Sequence, residues 1–147
     1  SKGVAVLVRT SNPGAVDFQD LTVDERPLWT HVAQALSPLS TELLGASGWS
    51  GLMVVAGATY PEEARALRAL LPHNLFLVPG YGAQGAGAAA ALAGFVAGPN
   101  GLEGGVVSSS RAILSPPAAQ AAGNLADWRA AVRAAAQAAI ADLRAAE

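Results

Sequence analysis

The chain contains no cysteine, which excludes disulfides, thiol nucleophiles and thiolate metal sites. Its two histidines, His31 and His73, stand apart and form no metal constellation. Neither sits at a recognisable strand end beside a nucleophile elbow, which argues against Ser/His/Asp hydrolysis. Lysine is nearly absent, Lys2 being the only one. Nine Lys and Arg against eleven Asp and Glu give a net charge of -2 without any cationic cluster, so nucleic acid is not an expected partner. Long apolar runs are also lacking. The longest, Ala83 to Ala97, is broken by Gln84 and several glycines and falls short of the roughly 20 residues of a membrane span. These absences together fit a reducing cytoplasm.

What remains is an apolar, weakly charged chain. Its 147 residues, 52% of them hydrophobic, suffice for one core and one domain, residues 1–147 as a single α/β unit. A whole (β/α)8 barrel needs about 250 residues. The opening Ser1-Lys2-Gly3-Val4 enters a strand-like run at once, without the three-part pattern of a signal peptide, and an upstream segment is expected.

Four short apolar runs read as strands: Val4 to Val8, Leu52 to Ala56, Leu75 to Val78 and Gly104 to Ser108. Helix-like segments separate and follow them. The first spans Pro27 to Leu44 before Gly45, and Pro38 predicts a kink or a split. Thr59 and Glu62 form a capping-box pattern for the second, with Pro61 in its first turn and Pro72 at its close. An Ala-rich helix is predicted from Gln84 to Phe95. The last begins near Asn124 and carries Leu125, Trp128, Val132, Ala136, Ala139 and Leu143 at helical spacing, a stripe best explained by core packing. Ala118 to Gly123 reads as a connector. Four β-then-α units imply a parallel sheet with right-handed crossovers. Length alone favours a small open three-layer sandwich, because a free half-barrel exposes two strand edges and an apolar inner face.

The most informative stretch is Phe76-Leu77-Val78-Pro79-Gly80-Tyr81-Gly82-Ala83-Gln84-Gly85-Ala86-Gly87, a strand running into glycine-rich backbone and then a helix. Glycines let backbone N–H groups approach an anion closely, and a helix N-terminus adds positive charge, so a phosphate is the natural guest. A mere tight turn is the plain alternative. Gly80, Gly82 and Gly85 also match the dinucleotide fingerprint, but the acidic residue expected about 20 positions on is ill placed: Glu103 precedes the final strand. That strand leads into Ser108-Ser109-Ser110-Arg111, whose guanidinium fork suits phosphate oxygens. After the first strand, Arg9-Thr10-Ser11-Asn12-Pro13-Gly14 offers hydroxyl and amide groups to a polar ring, although ordinary turns look the same. Asp17, Gln19, Asp20, Asp24 and Glu25 read as a solvated surface without the alternation of a calcium loop, and no metal is assigned.

Taken together, Val6 to Gly14, Gly57-Ala58-Thr59-Tyr60-Pro61-Glu62, Val78 to Gly85 and Ser109-Ser110-Arg111 resemble orotidine 5'-phosphate decarboxylases, in particular the bacterial type 2 branch. The blocks keep the family's order and span most of residues 4 to 113. The resemblance implies an α/β chain forming the C-terminal half, about four β/α units, of a (β/α)8 TIM barrel, with the blocks at the ends of its last four strands. It implies a substrate-binding set of Ser11, Pro79, Tyr81, Gly82, Gln84, Gly85, Ser110 and Arg111. Ser11 would face the pyrimidine, while Gln84, the Tyr81 to Gly85 backbone and Arg111 would hold the 5'-phosphate. The family's Asp-x-Lys-x-x-Asp motif is absent, so no catalytic residue is expected in this chain. The implied reaction is decarboxylation of orotidine 5'-phosphate to uridine 5'-phosphate without a cofactor, in a homodimer, with an N-terminal half-barrel as partner. A dinucleotide- or phosphorylated-ligand-binding module is the alternative.

Overall fold

A computed structural model describes residues 2–147. In chain order the elements are β1 (Val4–Arg9), a 3-10 turn (Pro13–Ala15), α1 (Val16–Gln19), β2 (Thr22–Val23), β3 (Arg26–Pro27), α2 (Leu28–Glu42), β4 (Ser50–Ala56), α3 (Pro61–Leu70), β5 (Asn74–Val78), α4 (Ala88–Ala91), β6 (Val96–Gly98), β7 (Gly101–Glu103), β8 (Gly105–Val107), α5 (Ser110–Leu114), α6 (Pro117–Gln120) and α7 (Leu125–Ala145). The four expected strands form one parallel sheet in the order β1-β4-β5-β8. Two small antiparallel ribbons, β2 with β3 and β6 with β7, had no counterpart among the expected elements.

Alternation along the strands decides the layering. Val8, Val54, Ala56, Phe76 and Val78 join Trp29 and Ala33 of α2, Leu67 and Leu71 of the α3 region and Ala91 of α4 in one buried cluster. Side chains one position along point the other way. There Leu7, Val55, Leu77 and Val106 stand side by side across all four strands, and Leu7 is 66% and Val106 50% exposed. Helices therefore cover one face only, which overturns the three-layer sandwich and gives a two-layer arrangement that covers about half of a TIM-barrel chain. Among the described residues no helix is long and apolar enough to cross a membrane.

Several local expectations are corrected. Helix α2 runs unsplit through Pro38. The carbonyl that loses its partner belongs to exposed Gln34, which water can serve, and the Ser40 hydroxyl donates back to the Leu36 carbonyl at 3.0 Å. No side chain caps α3: its N-cap is Tyr60, and the Thr59 hydroxyl instead donates to the Ser11 carbonyl at 3.1 Å. The Ala-rich helix shrinks to Ala88–Ala91, because Gly82 and Gly85 take positive φ and hold turns ahead of it. The final helix begins as expected, with the Asn124 side chain accepting from the Asp127 N–H at 2.9 Å. Its stripe is only partly core, since Ala139 and Leu143 pack inward while Leu125 is 59% and Trp128 38% exposed. The presumed connector contains α6, with Ala119 buried.

The end of the sheet where strands begin is fastened by Arg68. Its Nε donates to the Gly94 carbonyl at 2.8 Å, Nη2 to Gly104 at 2.7 Å, and Nη1 to Asn74 at 2.8 Å, with Leu71 and Pro72 at 3.1 and 3.2 Å. The guanidinium lies 3.9 Å from the Phe76 ring centre and 5.4 Å from that of Trp49. Burial lowers its pKa to about 10, which leaves it cationic at neutral pH. Gly104, at φ +97°, must be glycine here: a Cβ would come within 2.8 Å of Trp49.

Candidate functional site

All the chemistry anticipated from sequence gathers at the other rim, where the strands end. Backbone after β5 turns through Gly80, at φ +102°, and Gly82, at φ +73°. The Gly82 N–H donates to Ala86 O at 3.0 Å and the Gly85 N–H to Gly82 O at 2.9 Å, closing the loop on itself. This loop and the β8-to-α5 segment enclose a hollow of about 150 Å³ lined by Pro79, Gly80, Tyr81, Ala83, Gln84 and Ser108 to Arg111. A second hollow of about 540 Å³ adjoins it, lined by Ser11, Asn12, Pro13, Thr59, Tyr60, Gln84 and Arg111. Gln84 and Arg111 line both.

Thus Pro79, Tyr81, Gln84, Ser110 and Arg111 share one hollow, and Ser11 stands in the next. Gly82 and Gly85 line neither; their role is to shape the turn. The anticipated helix N-terminus behind the loop is not there: α4 starts only at Ala88 and has four residues, so its dipole adds little. Positive charge at the rim comes from Arg111, the first residue after the start of α5. Arg111 is exposed and makes no ion pair among the described residues, and no carboxylate lines either hollow. An anion entering here meets an uncompensated guanidinium, the amide of Gln84 and the serine hydroxyls.

The loop is braced from behind by α7. Tyr81, 9% exposed, donates its hydroxyl to Asp142 Oδ2 at 2.7 Å, and the Ser109 hydroxyl donates to the Tyr81 carbonyl at 3.2 Å. Burial first, and then the Asp142 carboxylate, push the tyrosine pKa up to about 12. A phenol held protonated in the folded state contributes stability that is complete below about pH 10 and is lost as pH rises toward about 12. Tyr81→Phe is expected to cost about 1 kcal/mol at neutral pH. The gap between the two proteins should close across that alkaline window, as followed by urea unfolding; a gap independent of pH would disconnect the hydroxyl from Asp142.

The larger hollow rests on contacts that the sequence did not suggest. Gly57 lies so close under the turn after β1 that a Cβ would fall 2.8 Å from the Ser11 backbone. Gln19 and Asp20, read as solvated surface, both pair with the buried Arg9, Asp20 while remaining 40% exposed. A usable signal existed: one cation at the end of an apolar strand, followed by a loop rich in carboxylates. Lys2, by contrast, lies at the far end of the sheet beside Glu42 and Trp49. Among the described residues no group of three or more His, Cys, Asp or Glu side chains is placed to hold a metal ion.

The dinucleotide alternative fails on placement. Glu103 closes the β6–β7 ribbon immediately before β8, at the rim opposite the glycine loop, where it cannot reach a ribose bound there.

No protein-family model matches the chain. Among curated proteins it is 43% identical over 136 residues to orotidine 5'-phosphate decarboxylase of Rhodopirellula baltica, covering 90% of this chain and 44% of that protein. With the enzyme of the same name from Caldicellulosiruptor saccharolyticus it shares 43% identity over 113 residues, 77% of this chain and 36% of the relative. The chain thus spans less than half the length of these relatives. Solved structures agree: OMP decarboxylase of Leishmania donovani superposes with a TM-score of 0.63 at 29% identity, covering 97% of this chain and 48% of that one. UMP synthase of the same organism gives 0.66 at 32%, covering 97% and 28%. The chain is a homologue of the orotidine 5'-phosphate decarboxylases, TIM-barrel enzymes of UMP biosynthesis, and matches a portion of the full-length enzyme.

Proposed function

We propose that this chain is the C-terminal half of a cytoplasmic orotidine 5'-phosphate decarboxylase and supplies the grip on the substrate's 5'-phosphate and pyrimidine. The observation that carries the reading is the pair of adjoining hollows at the strand ends, bridged by Gln84 and Arg111. The smaller suits a phosphate and the larger a nucleoside. Binding a dianion at a distance from the bond that breaks lets the enzyme direct that binding energy to the transition state.

In the reaction the bond from the pyrimidine ring to its carboxylate breaks, carbon dioxide leaves, and a proton replaces it on the ring carbon to give uridine 5'-phosphate. This chain offers no lysine at the site to deliver that proton, since Lys2 sits at the opposite rim. The proton donor and its flanking carboxylates are assigned to an N-terminal half-barrel. That partner would cover exposed Leu7 and Val106 and half-buried Leu77, and pair with the free edges of β1 and β8. A homodimer of complete barrels is the expected assembly.

The chain alone should show no decarboxylation, and adding the N-terminal half should restore it, as measured by loss of orotidine 5'-phosphate absorbance. Restoration that fails although the two halves associate would favour the second reading, a module that binds phosphorylated ligands without catalysis.

A further inference from the structure

Arg9 lies outside both hollows, yet it is the largest side chain buried to within 2% exposure. An arginine with no water around it must be held by other groups, and of those holding this one Tyr60 is itself a wall of the nucleoside hollow while Gln19 braces another. We infer that Arg9 is a positioning residue that fixes the pyrimidine side of the site, a role that rests on the decarboxylase reading.

The backbone explains how a strand residue reaches the helical side. Leu7 pairs with Val55, but Arg9 pairs with Ala56, so Val8 and Arg9 together face one partner residue. Such a bulge turns the strand end and re-aims its side chains. The guanidinium consequently enters the space between α1 and α3 instead of the open face of the sheet. Nη1 lies 3.0 Å from Asp20 Oδ1, and Nη2 donates to Asp20 Oδ2 at 3.2 Å, a two-pronged ion pair. Nη2 also meets Glu63 Oε1 at 3.5 Å, while the guanidinium carbon lies 3.6 Å from the Tyr60 ring centre.

From there the order is relayed into the turn that bears Ser11. Nη1 donates to Gln19 Oε1 at 3.4 Å, and the same oxygen accepts the Thr10 N–H at 3.0 Å. Gln19 Nε2 donates to the Thr10 hydroxyl at 2.9 Å, which donates in turn to Asn12 Oδ1 at 2.7 Å. One cation thereby sets two walls of the larger hollow, the Ser11 to Pro13 turn and the Tyr60 ring, and through Glu63 it ties them to the first turn of α3. Its single charge offsets that of Asp20, with which it pairs through two contacts, and draws Glu63 toward the same group. None of these hydrogen bonds reaches the glycine loop or Arg111, and only the packing of Ser11 on Gly80 joins the two, so the phosphate hollow should depend on Arg9 far less than the nucleoside hollow does.

That separation supplies the test. In the complete enzyme, affinities for uridine 5'-phosphate and for ribose 5-phosphate are compared for wild type, Arg9→Lys, Arg9→Met and the milder Gln19→Leu, which stands in should the Arg9 variants not fold. Arg9→Met should weaken uridine 5'-phosphate roughly tenfold or more, as loss of a charge-assisted network does. Ribose 5-phosphate affinity should stay within about twofold, a change smaller than one lost hydrogen bond. Arg9→Lys should behave like Arg9→Met, because an ammonium cannot reproduce the planar fork. Gln19→Leu should shift the same ratio in the same direction. Equal loss for both ligands would reduce Arg9 to a general fold-stabilising residue, and an unchanged ratio would overturn the inference. A wild-type enzyme that does not prefer uridine 5'-phosphate to ribose 5-phosphate would instead overturn the decarboxylase reading beneath it.

Discussion

Arg111→Ala in the complete enzyme should lower kcat/KM about 10- to 100-fold while leaving the melting temperature nearly unchanged. The first half of that expectation follows from charge. Arg111 is the one guanidinium lining both hollows, and no carboxylate lines them to compensate it. On the proposed reading its loss removes charge-assisted hydrogen bonds to the substrate's phosphate, each worth about 1.5–3 kcal/mol, and each 1.36 kcal/mol is about tenfold in rate. The second half follows from isolation. Arg111 is exposed and makes no ion pair among the described residues, so a truncation there belongs with surface substitutions that change stability by about 0.5 kcal/mol or less. Steady-state kinetics beside thermal unfolding reads both. With orotidine, the substrate without its phosphate, wild type and variant should be equally slow. A rate unchanged with the full substrate would remove Arg111 from the site, and a large fall in melting temperature would make it a structural residue.

For Arg68→Met the pattern should invert, with a loss of about 3–5 kcal/mol in stability and no direct contact with ligand to lose. Five backbone carbonyls accept from Arg68, drawn from the end of α3, the entry to β5, the segment after α4 and Gly104 before β8. A buried acceptor left without a donor costs about 1–3 kcal/mol. The exposed Pro72 carbonyl can turn to water, whereas the carbonyls of buried Asn74, Gly94 and Gly104 are the ones stranded. Methionine fills part of the volume between Phe76 and Trp49, so the missing donors and the lost cation–π contacts dominate the change. Arg68→Lys should recover only a fraction, because three ammonium protons on one atom cannot reach carbonyls spread around a planar fork. Urea unfolding at constant m-value measures the loss. A change under about 1 kcal/mol would mean that water replaces the guanidinium, contrary to the burial seen here.

The two arginines show why parts of this protein are legible in its sequence and others are not. Arg111 stands next to Ser108, Ser109 and Ser110 at the end of an apolar run, and its position along the chain already implies a strand end. Arg68 lies in the last turn of α3, where a cation is ordinary and does not reveal its partners, which range from Leu71 to Gly104. Arg9 is similar: its bulge depends on pairing with β4, so neighbours in sequence cannot reveal which way its side chain turns. Thr59 illustrates the opposite error. A local capping pattern was present, but a carbonyl 48 residues away took the hydroxyl. The short α4 has the same moral, since an Ala-rich stretch favours helix only where flanking glycines are not committed to turns.

The sequence by itself determined the alternation of strands and helices, the glycine loop after the third strand and the arginine after the fourth, because period, turn chemistry and residue type are local properties. Tertiary structure alone decided that helices cover one face of the sheet, that Gln84 and Arg111 wall two joined hollows, and that Arg9 is buried behind one of them. Those outcomes depend on which distant segments pack together, and packing is settled by the free energy of the whole chain, not by any window of it.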